Sequence, residues 1–177
     1  MNVFIIAAVS VDGFIAEESD QISTSWTSEE DRKFFVERTK QARVMVMGST
    51  TYKTIGRPLP GRLSVVYSKD TAQFSEAQQK YDESQLRVSQ EDPAELIKKL
   101  EREGFDEVAI CGGASIYSLF MKAGVVNKLY ITLEPVIFGK GVKLFQEGIS
   151  AKLKLIEMKK LNDHTLLLDY DVLGKLG

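Results

Sequence analysis

The chain is poor in the residue types that most often announce chemistry: one cysteine, one histidine and one tryptophan in 177 residues, with only four prolines. With Cys111 alone, no intrachain disulfide can close, and no cysteine cluster can hold zinc or an iron-sulfur centre. His164 lies in a polar "NDH" stretch, where an exposed turn residue is a simpler expectation than a general base. The acidic residues lack the spacing of a calcium loop, and no apolar run approaches the roughly 18 residues of a membrane span. Neither sign of charge dominates: 23 basic and 25 acidic residues leave a formal charge of -2, with no block suited to a nucleic-acid tail or an anionic membrane. A small molecule is therefore the expected partner, with neither nucleic acid nor membrane. The opening "MNVFIIAAVSVDGFIA" has no basic leader and soon turns acidic, so it reads as a core strand rather than a signal peptide. With the lone cysteine, this points to a reducing, cytoplasmic setting.

What is present is enough to build one core. An apolar fraction of 44% over this length suits a single domain spanning residues 1–177. Residues 3–9 form an almost unbroken apolar, branched run, as expected of a strand covered on both faces. Residues 10–24 are polar and irregular, long enough for a mobile flap. In "TSEEDRKFFVERTKQA", Thr27 followed by Glu30 has the capping-box pattern and predicts a helix. Residues 44–47 and 63–67 read as strands, and 86–88 as a weaker one. "DPAELIKKLEREG" reads as a helix with Asp92 as cap and Pro93 in the first turn. Residues 108–111 and 129–133 continue the sheet, while 153–161 and 165–172 form an antiparallel hairpin across "NDH". The order predicts a largely parallel sheet with helices on both faces and an antiparallel edge.

Two glycine turns, "MGSTTY" and "CGGASIY", each follow a strand and open a helix, where free N–H groups favour phosphate oxygens. Either could equally be a plain tight turn. A lysine-bearing phosphate loop is absent, and no "GxGxxG" follows the first strand, which disfavours ordinary nucleotide hydrolases and dehydrogenases. Asp31 and Phe35 share one helical face. Spacing alone favours a structural role for both, and leaves Trp26 open between core plug and pocket border. Arg57 and Arg62 bracket "PLPG", whose prolines would limit the freedom lost in presenting two guanidiniums to a carboxylate. Solvated arginines are the simpler reading of that loop by itself.

Taken together and in order, "FIIAAVSVDGFIA", "WTSEEDRKFF", "VMGSTTY", "TIGRPLPGR", "ICGGASIY" and "LYIT" resemble the dihydrofolate reductase family over most of the chain. That resemblance implies a three-layer α/β/α fold with a mostly parallel eight-stranded sheet and a C-terminal antiparallel hairpin. It implies NADPH-dependent reduction of 7,8-dihydrofolate at C6, with protonation at N5, by a monomer or alternatively a homodimer. By the same resemblance Asp31 would hold the pterin edge and assist protonation, with Thr132 supporting it. Ile6, Ala8, Phe35 and Ile55 would line the substrate, Arg62 would take the tail carboxylate, and Arg57 would lie nearer the mouth. The cofactor would meet Ala8, Val11, Gly13, Phe14, Ile15 and Ala16 of the flap. It would also meet Gly48, Ser49, Thr50 and Thr51, then Ser68 and Lys69, and finally Cys111, Gly112, Gly113, Ala114, Ser115, Ile116 and Tyr117. Ser49 stands where many family members carry an arginine for the 2'-phosphate, so NADH tolerance is also implied. "SVDGFIA" and "EPVIFGKGVKLF" look more like the related reductases of riboflavin biosynthesis. The alternatives are thus a pyrimidinone reductase or a non-catalytic pterin or nucleotide binder.

Overall fold

A computed structural model describes residues 1–174. The main sheet has the order β5-β4-β3-β6-β1-β7-β10-β9. Its strands are β1 (Asn2–Val9), β3 (Val44–Gly48), β4 (Leu63–Tyr67), β5 (Leu86–Ser89), β6 (Glu107–Ile110), β7 (Lys128–Leu133), β9 (Lys152–Lys160) and β10 (Leu166–Gly174). All pairings are parallel except those of β10, which runs against both β7 and β9. The expected three-layer fold, eight-stranded sheet and terminal hairpin are all present.

The continuous apolar run of β1 is explained by its two faces. Val3, Ile5, Ala7 and Val9 enter one buried cluster, while Phe4 and Ile6 enter another. This is the period-two alternation of a strand with no solvated side. Helices α4 (Pro93–Arg102) and α5 (Ala114–Lys122) cover the first face through Leu96, Leu100, Ile116 and Phe120. Helices α1 (Glu29–Ala42) and α2 (Ser49–Ile55) cover the second through Ala42 and Tyr52, joined by Phe74 just before the short α3 (Ser75–Lys80). Each large side chain withdrawn in this way contributes about 1.5–3 kcal/mol.

Helix α1 is capped by Ser28 rather than Thr27: the Ser28 hydroxyl accepts from the Asp31 N–H at 3.2 Å. Glu29, Glu30 and Asp31 fill its first turn, where carboxylates complement the helix dipole. Glu30 does not reach back as a capping-box partner; its carboxylate accepts from the Asn162 amide. Asp92 caps α4 by accepting from Ala94 N–H at 2.8 Å, with Pro93 in the first turn as expected. The helix α3 was not anticipated in the polar connection before β5. Strand β6 ends at Ile110, one residue before the expected limit.

The segment 10–24 is not wholly irregular. Within it β2 (Phe14–Ala16) pairs antiparallel with β8 (Val142–Lys143) as a separate two-stranded sheet. Asp12 ties the turn before β2 to the opposite loop, accepting from Phe138 N–H at 3.2 Å and Gly139 N–H at 2.7 Å. The Ser10 hydroxyl, and after it those bonds, hold its carboxyl below the usual carboxylate range. Gly141 has φ 150, and a Cβ there would overlap the Ala16 carbonyl oxygen, so the two segments approach at a position only glycine fits. No helix among the described residues is long and apolar enough to cross a membrane.

Candidate active site

Parallel strands ending on one edge of a sheet open a crevice there, most readily where the chain leaves in opposite directions from neighbouring strands. Here β3 and β1 flank β6, and the C-terminal ends of β1, β3, β4 and β6 open into one cleft of 1580 Å³. Ala8, Gly48, Tyr67 and Gly112 mark those ends along its floor. The first turn of α1 and the flap form its other walls through Asp31, Phe35, Ile15 and Ala16.

At one end stands Asp31, half-buried among Ile6, Ala8, Phe35 and Ile55. Burial raises its pKa, and the negative charge of Glu134 raises it further. The hydroxyls of Thr132 and Thr27 and the charge of Arg32 oppose this, but the net direction is upward. The Thr27 hydroxyl is itself buried without a regular hydrogen bond, so it faces Asp31 as a nearby dipole rather than a tight partner. Desolvation thus dominates at Asp31, one of the ways in which a carboxyl is made to hold its proton more tightly. Thr132 is buried behind the carboxyl on β7 and does not reach the cleft surface.

The middle of the cleft is made by the two glycine turns. The starts of α2 and α5 have Gly48 and Gly113 as N-caps with no side chain closing either. They are joined directly, since Gly48 N–H donates to the Gly112 carbonyl at 2.7 Å. A Cβ on Gly48 would lie 3.0 Å from Cγ1 of Ile116. A Cβ on Gly112, where φ is 115, would crowd the Tyr117 hydroxyl at 3.2 Å. The peptide bond from Gly112 to Gly113 is cis. Tyr117 is buried, donates to the Ile6 carbonyl at 2.9 Å, and has its pKa pushed well above the ordinary phenol value by burial. Burial likewise pushes the Cys111 thiol up, so it is no nucleophile.

The far end is polar and more exposed. Ser68, Lys69 and Asp70 face Gln90, Glu91 and Asp92 across the ends of β4 and β5. Lys69 is the basic side chain of this end among the described residues.

The cleft gathers most of the expected site. Ile6, Ala8, Asp31, Phe35 and Ile55 line it, as do Ile15, Ala16, Ser68, Lys69 and residues 48–51 and 111–117. Val11, Gly13 and Phe14 do not; Val11 and Gly13 face solvent, and Phe14 pairs with Lys143. Arg57 is exposed and lies outside the lining. Arg62 is buried beside the cleft rather than on it. Its guanidinium donates to the Val36 carbonyl at 2.9 Å, its Nε has no protein partner, and it borders a separate 340 Å³ pocket with Tyr81 and Gln85. Trp26 packs edge-on against Phe138 at 5.1 Å and plugs the base of the flap. His164 is an exposed turn residue. The residue that sequence reasoning missed is Glu134: nothing local to "LEPVIF" marks it as a neighbour of Asp31.

The sequence model of the family described as dihydrofolate reductase matches residues 2–161. The chain belongs to the dihydrofolate reductase family. Dihydrofolate reductase type 9 of Escherichia coli is 32% identical over 127 residues, 72% of this chain and 67% of that protein. Two solved structures share the fold at lower identity. A pyrimidine reductase-like protein from Corynebacterium diphtheriae is 16% identical with a TM-score of 0.76, covering 97% of this chain and 92% of its own. Dihydrofolate reductase from Enterococcus faecalis, complexed with NADP(H), is 19% identical with a TM-score of 0.70, covering 97% and 96%. Membership in the dihydrofolate reductase family thus accords with the geometry: an acid at one end of a cleft and two open helix starts in its middle.

Proposed function

We propose that the protein is an NADPH-dependent dihydrofolate reductase. The observation that carries this reading is the placement of Asp31, a carboxyl with a raised pKa, in the same cleft as the two uncapped glycine turns. The turns fit a dinucleotide. Their close approach admits no Cβ at Gly48 without displacing Ile116, and their free N–H groups suit a pyrophosphate. Residues 48–51 and 113–116 would hold that centre, with Ser68 and Lys69 near the adenosine end. When bound, the nicotinamide supplies the hydride.

The chain's own residues do the rest. Phe35, Ile6 and Ile55 of the same cleft would pack on a fused ring, and an Asp31 carboxylate could accept two ring N–H groups in parallel. Its raised pKa favours retention or relay of a proton toward the ring nitrogen beside the carbon that receives hydride. Ile15 and Ala16, held by β8, cover the cleft and limit water at that point. The working unit we take is a monomer, with a homodimer as the alternative.

A second reading is favoured by Arg62. A glutamate tail calls for a cation at the cleft wall, and this arginine is turned to the Val36 carbonyl instead. A pyrimidinone bearing a sugar phosphate has no tail carboxylate to be clamped at that place. Purified protein supplied with NADPH should oxidise it with dihydrofolate and not with the ribosylaminopyrimidinone phosphate. Turnover of the pyrimidinone alone would replace the folate reading with the second one. Binding of cofactor and folate without turnover across a wide pH range would favour a non-catalytic binder.

A further inference from the structure

Glu134 is 2% exposed, immediately after β7, and has no cation within ion-pair distance among the described residues. Its carboxylate accepts three hydrogen bonds, from one backbone N–H and two hydroxyls. The Ser28 N–H gives 2.9 Å and the Ser28 hydroxyl 2.8 Å to one oxygen, while the Thr165 hydroxyl gives 3.0 Å to the other. Three donations of this kind suit a carboxylate, which accepts and does not donate. A buried carboxylate with no countercharge is costly, and a neutral amide side chain could meet much of the same hydrogen bonding at lower cost. Structure by itself therefore does not account for the charge.

Its position does. Ser28 is the cap of α1, and its hydroxyl both donates to Glu134 and accepts from the Asp31 N–H. One unbroken line of bonds thus runs from Glu134 through the cap to the backbone of Asp31. We propose that Glu134 is a positioning residue for Asp31: it fixes the first turn of α1 and places a second negative charge behind the proton-handling carboxyl. This rests on Asp31 having that role in the proposed reduction. The other groups facing Asp31 are Thr132 from β7, Thr27 from the preceding loop, Arg32 from its own helix and Tyr117 from α5. Of these only Arg32 is a cation, and it is exposed, so the charge of Glu134 is opposed mainly by dipoles. Like charges that share a site favour the protonated form of one of them.

The test is a carboxyl carbon NMR titration of the full chain without substrate, followed by pH profiles of turnover. Glu134→Gln keeps the size and removes the charge. It should lower the midpoint of Asp31, reducing its protonated fraction at neutral pH roughly threefold to tenfold. The alkaline limit of turnover should move to lower pH by a matching amount. Ser28→Ala, which removes the cap and leaves the charge, should lower the melting temperature and shift the Asp31 midpoint less. Should the Gln variant not fold, Glu134→Met, which removes the same charge at similar volume, should lower the Asp31 midpoint by a similar factor. An unmoved or raised Asp31 midpoint in the folded Glu134→Gln or Glu134→Met variant overturns the proposal. The titrations need no substrate, so shifted midpoints uphold the coupling even if dihydrofolate proves not to be the substrate.

Discussion

The two ends of the cleft are built on different principles. At the Asp31 end, apolar walls from β1, α1 and α2 withdraw a carboxyl from water, and the charged group fixed behind it is another carboxylate. At the Lys69 end, exposed groups of both signs stand in solvent, with Asp70, Glu91 and Asp92 beside the lysine. Desolvation makes small arrangements count heavily at the first end, whereas solvent screens each contact at the second. Proton handling suits the dry end, and tolerant recognition of a charged cofactor suits the wet one.

The contrast can be broken most severely at Asp31. Asp31→Asn should lower turnover of dihydrofolate about 10²-fold to 10⁴-fold while leaving NADPH affinity near parental, as read by steady-state rates and cofactor fluorescence. Near-parental turnover would make Asp31 structural. The same change should raise stability at neutral pH. Because burial raises the Asp31 pKa, the fold favours its protonated form. That contribution is full below the unfolded-state value and is lost as pH rises through the folded-state value. Melting temperatures of the two proteins should therefore converge in acid and diverge, with Asn higher, toward neutral pH.

Smaller effects sharpen the contrast. Arg62→Ala removes a buried donor to the Val36 carbonyl and should cost about 1–3 kcal/mol in denaturant unfolding, a structural loss at the rim of the dry end. If it instead weakens folate binding with stability intact, the tail-carboxylate role stands. At the wet end, Lys69→Ala should weaken NADPH about fivefold and leave NADH unchanged in binding titrations, the scale of an exposed charge contact. Equal loss for both cofactors would detach Lys69 from the 2'-phosphate. Arg57→Ala should alter stability by no more than about 0.5 kcal/mol and leave substrate affinity unchanged.

Much of this architecture was legible because it rests on local patterns. The alternation in β1, the cap and proline of α4, and the glycines at the starts of α2 and α5 all report on structure within a few residues. The cap of α1 was not decidable in that way. Thr27 and Ser28 each precede an acidic residue by three positions, and the choice falls to Ser28 through its bonds to Glu134, 106 residues away. Glu134 itself was invisible for the same reason. The sheet of β2 and β8 was missed because strands of three and two residues carry too little periodicity to read. Arg62 is buried where the loop by itself suggested a solvated arginine, and no spacing rule shows which way a buried guanidinium turns.

The two stretches that resemble riboflavin-pathway reductases, "SVDGFIA" and "EPVIFGKGVKLF", are far apart in the chain and interlocked in space. Asp12 of the first holds Phe138 and Gly139 of the second, Ala16 pairs with Val142, and the Ala16 carbonyl fills the place a side chain at Gly141 would need. What reads along the sequence as two borrowed fragments is one clasp over the cleft. Its halves are therefore expected to travel as a pair: a chimera exchanging one with a relative should lose the clasp, while one exchanging both should keep it.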